Sequence, residues 1–455
     1  MTEDGISAGV GEVDITPALG VELAGAFEPR FADHIERRLY AKALALRGDD
    51  TTVVLVCCDT IMVSARLVVE PATARIAELT DVPADHVLVA ATHAHSTPSL
   101  MPELGVTTVE PDYVARVVDA VVTAATTAIE TMIPARIGYG QTPVTGVCFN
   151  RRYRRTDGLV ECNPGAGRDD LVGPAGPVDP LVTGLLVEDR RGTTIGFWSN
   201  LAVHYVGTGS QHSISSDYFG AVGERLRRLV GGDVSVQLTN GCSGDINNVD
   251  LHGGVPEAGM ARAELAATAV AGAVAAGTMM APRHTSAPLS AGIVGVEVDR
   301  MAVTERDRAI ARAFLAGERQ DTPYSFVVGA PIQPGARRYF AEMLPVLAEL
   351  PERATVPVQV IMVGELCVVG LPGEIFVEHG LVIKDRSRSP VTAVVGLAGD
   401  HIGYVPTLRA TAEGGYETWR NAVSWTAPGT GERLVDAAVD LITELTKIRS
   451  TASTG

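Results

Sequence analysis

The 455-residue sequence predicts an α/β fold, with a mixed sheet core, flanking helices and long active-site loops. Three observations predict it. Short β-branched runs alternate with stretches of helical spacing, the pattern of a sheet covered by helices. Hydrophobic residues make up 46% of the chain and charged residues 20%, which supplies a sizeable core. Polar motifs follow several of the apolar runs, where open α/β sheets build their sites.

Taken in order, residues 52–59 (TVVLVCCD) and 86–93 (HVLVAATH) read as buried strands. Between them, residues 65–79 have helical spacing, and 111–132 form a long Ala/Val-rich helix with acidic residues near its start. Residues 141–180 are rich in Gly, Pro, Arg and Asn and read as a long loop excursion. Strands at 181–188 and 194–204 follow, then a helix at 218–229, a strand at 234–239 and a helix at 256–275. Residues 280–355 carry two helical patterns around a Pro/Gly-rich loop at 322–336. Strands at 356–363 and 366–371, a helix from residue 374, a strand at 391–397 and a helix at 432–448 complete the chain. Residues 1–448 are therefore expected to form one large catalytic domain, and 449–455 a disordered tail.

The formal net charge of −17 and pI near 5.0 exclude nucleic acid and anionic membranes as partners, because both need clustered Lys and Arg. A small-molecule substrate is the expectation; nothing in the sequence sets the oligomeric state. The start, MTEDG, lacks the basic and apolar regions of a secretory signal. No run reaches the roughly 18 apolar residues of a membrane span. Six cysteines lie scattered without CxxC pairs and read as buried small apolar residues in a reducing compartment. A cytoplasmic protein without stable membrane association is expected.

Four polar motifs carry the possible chemistry. His93 and His95 end an apolar strand and, two residues apart, point to the same side, as half a metal site does. His204 ends a second apolar run, and residues 240–248 (NGCSGDINN) follow a third as a Gly-rich turn. Glu374 joins a strand to a helix, and Tyr404 and Tyr416 lie in a late Gly-flanked loop. Singly, each has a packing or capping explanation. Together they supply imidazoles, a carboxylate and a phenol, a donor set that suits zinc. Ser243 is not a nucleophile elbow, since G-x-S-x-G requires Gly at the position held by Asp245.

These motifs resemble those of neutral ceramidases. Residues 9–17 (GVGEVDITP) resemble that family's G-x-G-x-x-D-I-T-P, and His93-Ala94-His95-Ser96 its T-H-T-H-S-G-P. Residues 202–204 (AVH) resemble A-I-H-P, Asn150-Arg151 resembles N-R-S-P, and residues 372–374 match P-G-E. Residues 404–407 (YVPT) and Tyr416-Glu417 resemble Y-x-T-T and Y-E-G. The resemblance implies a fold like the neutral-ceramidase N-terminal domain. It implies one catalytic Zn²⁺ per chain, held by His93, His204, Glu374 and Tyr404, with His95, Arg151 and Tyr416 around the scissile carbonyl. Zinc lowers the pKa of a bound water to about 7 and polarises a carbonyl, so direct attack of water on an amide follows.

The chain departs from the family at Asn247, which stands where ceramide-cleaving members carry the Ser of G-D-V-S-P-N. Asn cannot act as a nucleophile, so Asn247 is expected at most to donate a hydrogen bond. The chain also stops near where those enzymes begin a C-terminal immunoglobulin-like domain. The resulting expectation is a zinc-dependent amidohydrolase acting on a small soluble N-acyl or cyclic-amide compound. The other readings are an esterase or lactonase, a true ceramidase with the same zinc site, and a catalytically silent zinc-containing binding protein.

Overall fold

The computed structural model describes residues 5–49, 51–101, 108–165, 167–205, 211–251, 259–319 and 335–452. The chain begins with strand β1 (Ser7–Asp14), β2 (Tyr40–Gly48) and β3 (Thr51–Cys58), then helix α1 (Glu70–Leu79), β4 (Val87–Ala91) and helix α2 (Pro111–Glu130). Strands β5 (Ile133–Pro143), β6 (Leu181–Asp189) and β7 (Thr194–Leu201) follow, with helix α3 (Asp217–Val230), β8 (Ser235–Asn240) and helix α4 (Met260–Met279). These eight strands form one sheet in the order β8-β7-β6-β5-β1-β2-β3-β4. Its centre is antiparallel, while the outer pairs β3–β4 and β7–β8 are parallel.

The rest of the chain builds a second sheet. Strand β9 (Leu289–Asp299), helices α5 (Glu305–Leu315) and α6 (Ala336–Glu349), β10 (Arg353–Val363) and β11 (Leu366–Gly370) come first. Helix α7 (Val377–Arg386), β12 (Val391–Val395), helix α8 (Leu408–Glu413) and helix α9 (Thr430–Ala452) close the fold. The four strands order as β9-β10-β11-β12, and β11–β12 is again parallel.

The two sheets pack face to face through Leu46, Leu55, Leu88, Ile361, Val368 and Val395. Each sheet buries its other face under helices: α2 covers β1 and β2, α4 covers β5 and β6, α3 covers β8, and α7 and α9 cover the smaller sheet. Apolar surface removed from water at the three interfaces between these layers drives this stacking. The parallel pairs end near one another, and the loops leaving β4, β7, β8, β11 and β12 converge.

The structure departs from the sequence expectations in several places. Residues 133–143 are strand, and the excursion at 141–180 contains a small three-stranded sheet of Arg152–Arg155, Val160–Cys162 and Leu171–Pro174. Strand β9 falls in the 280–355 stretch, where the sequence predicts helical patterns. Its Ser-Ala-Gly start and exposed middle, paired on one edge only with β10, hide the alternation. Helix α7 starts at Val377 because Glu374 and Ile375 pair with Tyr404 and Val405. The last helix continues through Ala452, so part of the expected tail is helical. The loop expected at 322–336 lies almost wholly outside the described residues.

Candidate active site

His93 leaves β4 with φ of 73°, the left-handed conformation, which turns its ring back under the sheet end. Its backbone N–H donates to the Thr60 carbonyl at 3.0 Å, and its Nδ1 lies 2.7 Å from the Ile61 carbonyl oxygen. A carbonyl only accepts, so Nδ1 donates there and the ring turns Nε2 inward. That Nε2 is buried without a hydrogen-bond partner.

His95 is fixed in the same way. Its Nδ1 faces the Gly25 carbonyl at 3.3 Å, its backbone N–H donates to Asp217 at 2.7 Å, and its carbonyl accepts from Arg30 at 2.8 Å. Gly25 has φ of +86°, and a Cβ there would lie 2.6 Å from the His95 Nδ1. Glycine is therefore required for the ring to sit where it does.

His204 leaves β7 and brings its Nε2 to 2.8 Å from that of His95. Its Nδ1 lies 3.2 Å from Arg151 and 3.3 Å from Glu374 Oε2. The same Oε2 is 3.4 Å from the His93 Nε2 and has no hydrogen-bond partner. Acceptor atoms thus converge on one point from three strand ends: His93, His204 and Glu374. The His93 Nε2 and Glu374 Oε2 lie 3.4 Å apart, a spacing that a cation held among these donors would make favourable. His93, His95 and His204 have ring nitrogens within 4.8 Å of one another.

The electrostatics agree. Burial pushes the His204 imidazole down to about 3, with His93 adding to the effect and Glu374 opposing it. Burial, then His204 and His93, also push His95 well below the usual value. Burial alone would raise Glu374, but His93, His204 and His401 outweigh it and hold the carboxyl well below its usual range. Burial thus favours neutral rings at His95 and His204 beside an ionised Glu374, the states that metal ligation needs.

Tyr404 is brought beside Glu374 by the two-residue parallel pairing of Glu374 with Tyr404. Its ring lies 5.3 Å under the Arg151 guanidinium and meets Tyr416 edge-on at 5.6 Å. Tyr416 in turn packs with Phe27, Phe340 and Trp419, an aromatic wall on this side of the site. Arg151 is buried and committed: Nε donates to Glu417 at 2.9 Å, Nη2 to the Gly244 carbonyl at 2.7 Å, and Nη1 faces His204. Glu417 is shared with Arg152 at 3.0 Å and is itself fully buried.

The structure brings His93, His95, His204, Glu374, Tyr404, Arg151 and Tyr416 together. Asn247 is buried on the adjoining loop, where its amide N–H₂ donates to Asn163 at 2.5 Å and its oxygen accepts from the Val249 N–H at 3.0 Å. The bond to Asn163 ties the 240–248 turn to the 151–163 segment, and the bond from Val249 is local to the turn. Sequence reading did not single out Asp217, Arg30 or His401. The first two hold the His95 backbone, and His401 Nε2 lies 3.7 Å from Glu374 Oε1.

The fold and this cluster define a mixed-sheet α/β protein with a buried His/Glu metal-type centre at its strand ends. Residues 7–239, just over half the chain, match the family described as neutral/alkaline non-lysosomal ceramidase, N-terminal, and the chain belongs to that family. A neutral ceramidase of Mycobacterium tuberculosis (strain ATCC 25618 / H37Rv) is 27% identical over 477 aligned residues, covering 90% of this chain and 73% of that protein. Among solved structures, a ceramidase complexed with C2 superposes with a TM-score of 0.74 at 19% identity, over 98% of this chain and 76% of that one. The neutral ceramidase from Pseudomonas aeruginosa gives 0.71 at 20% identity, over 97% and 75%. At that identity the two structures speak to the fold. Among the described residues, no helix is long and apolar enough to cross a membrane.

Proposed function

We propose that the protein is a zinc-dependent hydrolase that cleaves the amide bond of a small N-acyl or cyclic-amide compound. The observation that carries the reading is the convergence of orphaned acceptors: His93 Nε2 and Glu374 Oε2 are buried, unpartnered and 3.4 Å apart. His93, His204, Glu374 and Tyr404 would hold the ion, with imidazole and carboxylate donors that suit zinc. Bound there, zinc would lower the pKa of water and polarise a carbonyl oxygen.

The chain's own residues supply the remainder. His95, with Nδ1 tied to Gly25, turns its Nε2 inward, where it can take a proton from the attacking water and return it to the leaving nitrogen. Arg151 orients His204 and keeps positive charge behind the site, where it favours an oxyanion. Tyr416 and its aromatic neighbours form an apolar wall that limits water around the substrate. Ser243 stays a turn residue whose carbonyl accepts from the Ile246 N–H.

Family membership and the mycobacterial relative favour an N-acyl amide over an ester, and they keep ceramide itself as the second reading. The test is a screen of N-acyl amino compounds, cyclic amides, lactones and a short-chain ceramide, each with and without a chelator. Chelator-sensitive release of a carboxylic acid from an amide is expected. Turnover confined to lactones, or unaffected by metal removal and restoration, would overturn the proposal.

A further inference from the structure

After β12 the chain enters residues 396–403, a loop held on every side. Its N–H groups at Gly396, Leu397, Ala398 and Gly399 donate to the carbonyls of Asn240, Gly373, Leu371 and Val89 at 2.9–3.1 Å. The Asp400 carboxylate accepts from the Ala65 N–H at 2.9 Å, and the Gly403 carbonyl accepts from the Glu374 N–H at 2.9 Å. Gly403 has φ of +72°, and a Cβ there would lie 2.4 Å from the Ser424 Oγ. The path of this loop is fixed by its neighbours, so the direction of each side chain on it is set.

His401 sits in this loop, 2% exposed, with no hydrogen-bond partner on either ring nitrogen. A buried polar group left unpaired is costly, so an imidazole kept in such a place calls for a role. Its Nε2 points at Glu374 Oε1 from 3.7 Å. The two oxygens of that carboxylate are thereby divided: Oε2 faces His93 and His204, and Oε1 faces His401.

We infer that His401 is a positioning residue for the metal centre, presenting an Nε2–H to Glu374 Oε1 across 3.7 Å so that Oε2 is held toward the histidines. The role needs the donor, not the imidazole as such. A carboxylate free to rotate about its last bond would spend part of its time with Oε2 turned away, and would present a less fixed negative charge to the ion. Outer partners of metal ligands act in this way, and their removal typically weakens metal binding by about 10–100-fold. The inference rests on the proposed zinc site.

The test uses full-length protein stripped of metal, with zinc affinity read by competition against a chromophoric chelator. His401→Ala removes the donor, His401→Phe removes it while filling the space, and His401→Gln restores an N–H near the position of Nε2. Thermal melting of each metal-free form reports folding separately, and the visible bands of the cobalt-substituted protein report ligand geometry. His401→Ala and His401→Phe should weaken zinc by about 10–100-fold and alter the cobalt bands, while His401→Gln stays within about threefold of wild type. Wild-type zinc affinity in whichever of the Ala and Phe variants folds would overturn the inference while leaving the proposed function standing. So would His401→Gln weakened as much as His401→Phe. Wild-type protein that binds no zinc would overturn the proposed function, and this inference with it.

Discussion

Glu417→Gln tests the buried charge cluster behind the site. The Glu417 carboxylate is fully buried and bridges Arg151 at 2.9 Å and Arg152 at 3.0 Å, both also buried. Burial opposes its charge, but the two guanidinia outweigh burial and hold it ionised, below its ordinary pKa. Glutamine keeps the shape, removes the charge and turns an N–H₂ toward one guanidinium, which has only donors. Removing one partner of a buried ion pair costs about 3–5 kcal/mol, because the remaining charge stays buried and uncompensated. At about 2.1 cal/mol/K of unfolding entropy per residue, a 455-residue chain loses about 1 °C of melting temperature per kcal/mol, so the midpoint should fall by roughly 3–5 °C. Calorimetry on wild type, Glu417→Gln and Glu342→Gln measures it. Glu342 pairs with Arg338 on an exposed helix face, where the loss should stay below about 1 kcal/mol. A Glu417→Gln midpoint equal to that of Glu342→Gln would refute the reasoning.

Gly25→Ala should lower activity and the melting temperature together. The new Cβ would crowd His95 Nδ1 at 2.6 Å, and the left-handed backbone disfavours any side chain; an unchanged kcat would contradict this account of how His95 is held. His95→Ala should lose at least about a hundredfold in kcat/KM, the usual cost of removing an acid–base group or oxyanion donor. Ser243→Ala should keep most activity and Asn247→Ala should fall between them, as read by steady-state kinetics. Mass spectrometry of enzyme quenched during turnover should find no acyl adduct; an adduct on Ser243 would replace direct attack of water with a covalent route.

Much of the site was legible because its donors end apolar strands. His93 follows β4, His204 follows β7 and Glu374 follows β11, and each strand is one of a parallel pair. The outer strands announce themselves by unbroken β-branched runs, since both faces are buried. Among the central antiparallel strands β6 is legible too, whereas β1 and β2 are not. Ala41, Ala43 and Ala45 of β2 are residues that favour helix, and Gly9 and Gly11 of β1 are residues that weaken a strand. Their smallness serves the packing of α2: a Cβ on Gly9 or Gly11 would lie 2.1 Å from the Ala128 or Ala124 carbonyl oxygen. Context thus overrides propensity. His401, Asp217 and Arg30 were hidden for another reason. None of the three ends a long apolar run: Arg30 lies in a two-residue strand, Asp217 opens α3 and His401 sits in a loop, and their partners, Glu374 and the His95 backbone, are remote in sequence.

The central claim, that His93, His204, Glu374 and Tyr404 hold one zinc ion, is tested most directly by elemental analysis of purified protein. Wild type should carry about one zinc per chain, and His204→Ala and Glu374→Ala should each carry almost none while remaining folded by circular dichroism. Stoichiometric zinc retained in both variants, or a wild-type protein that takes up no zinc when it is supplied, would contradict the account.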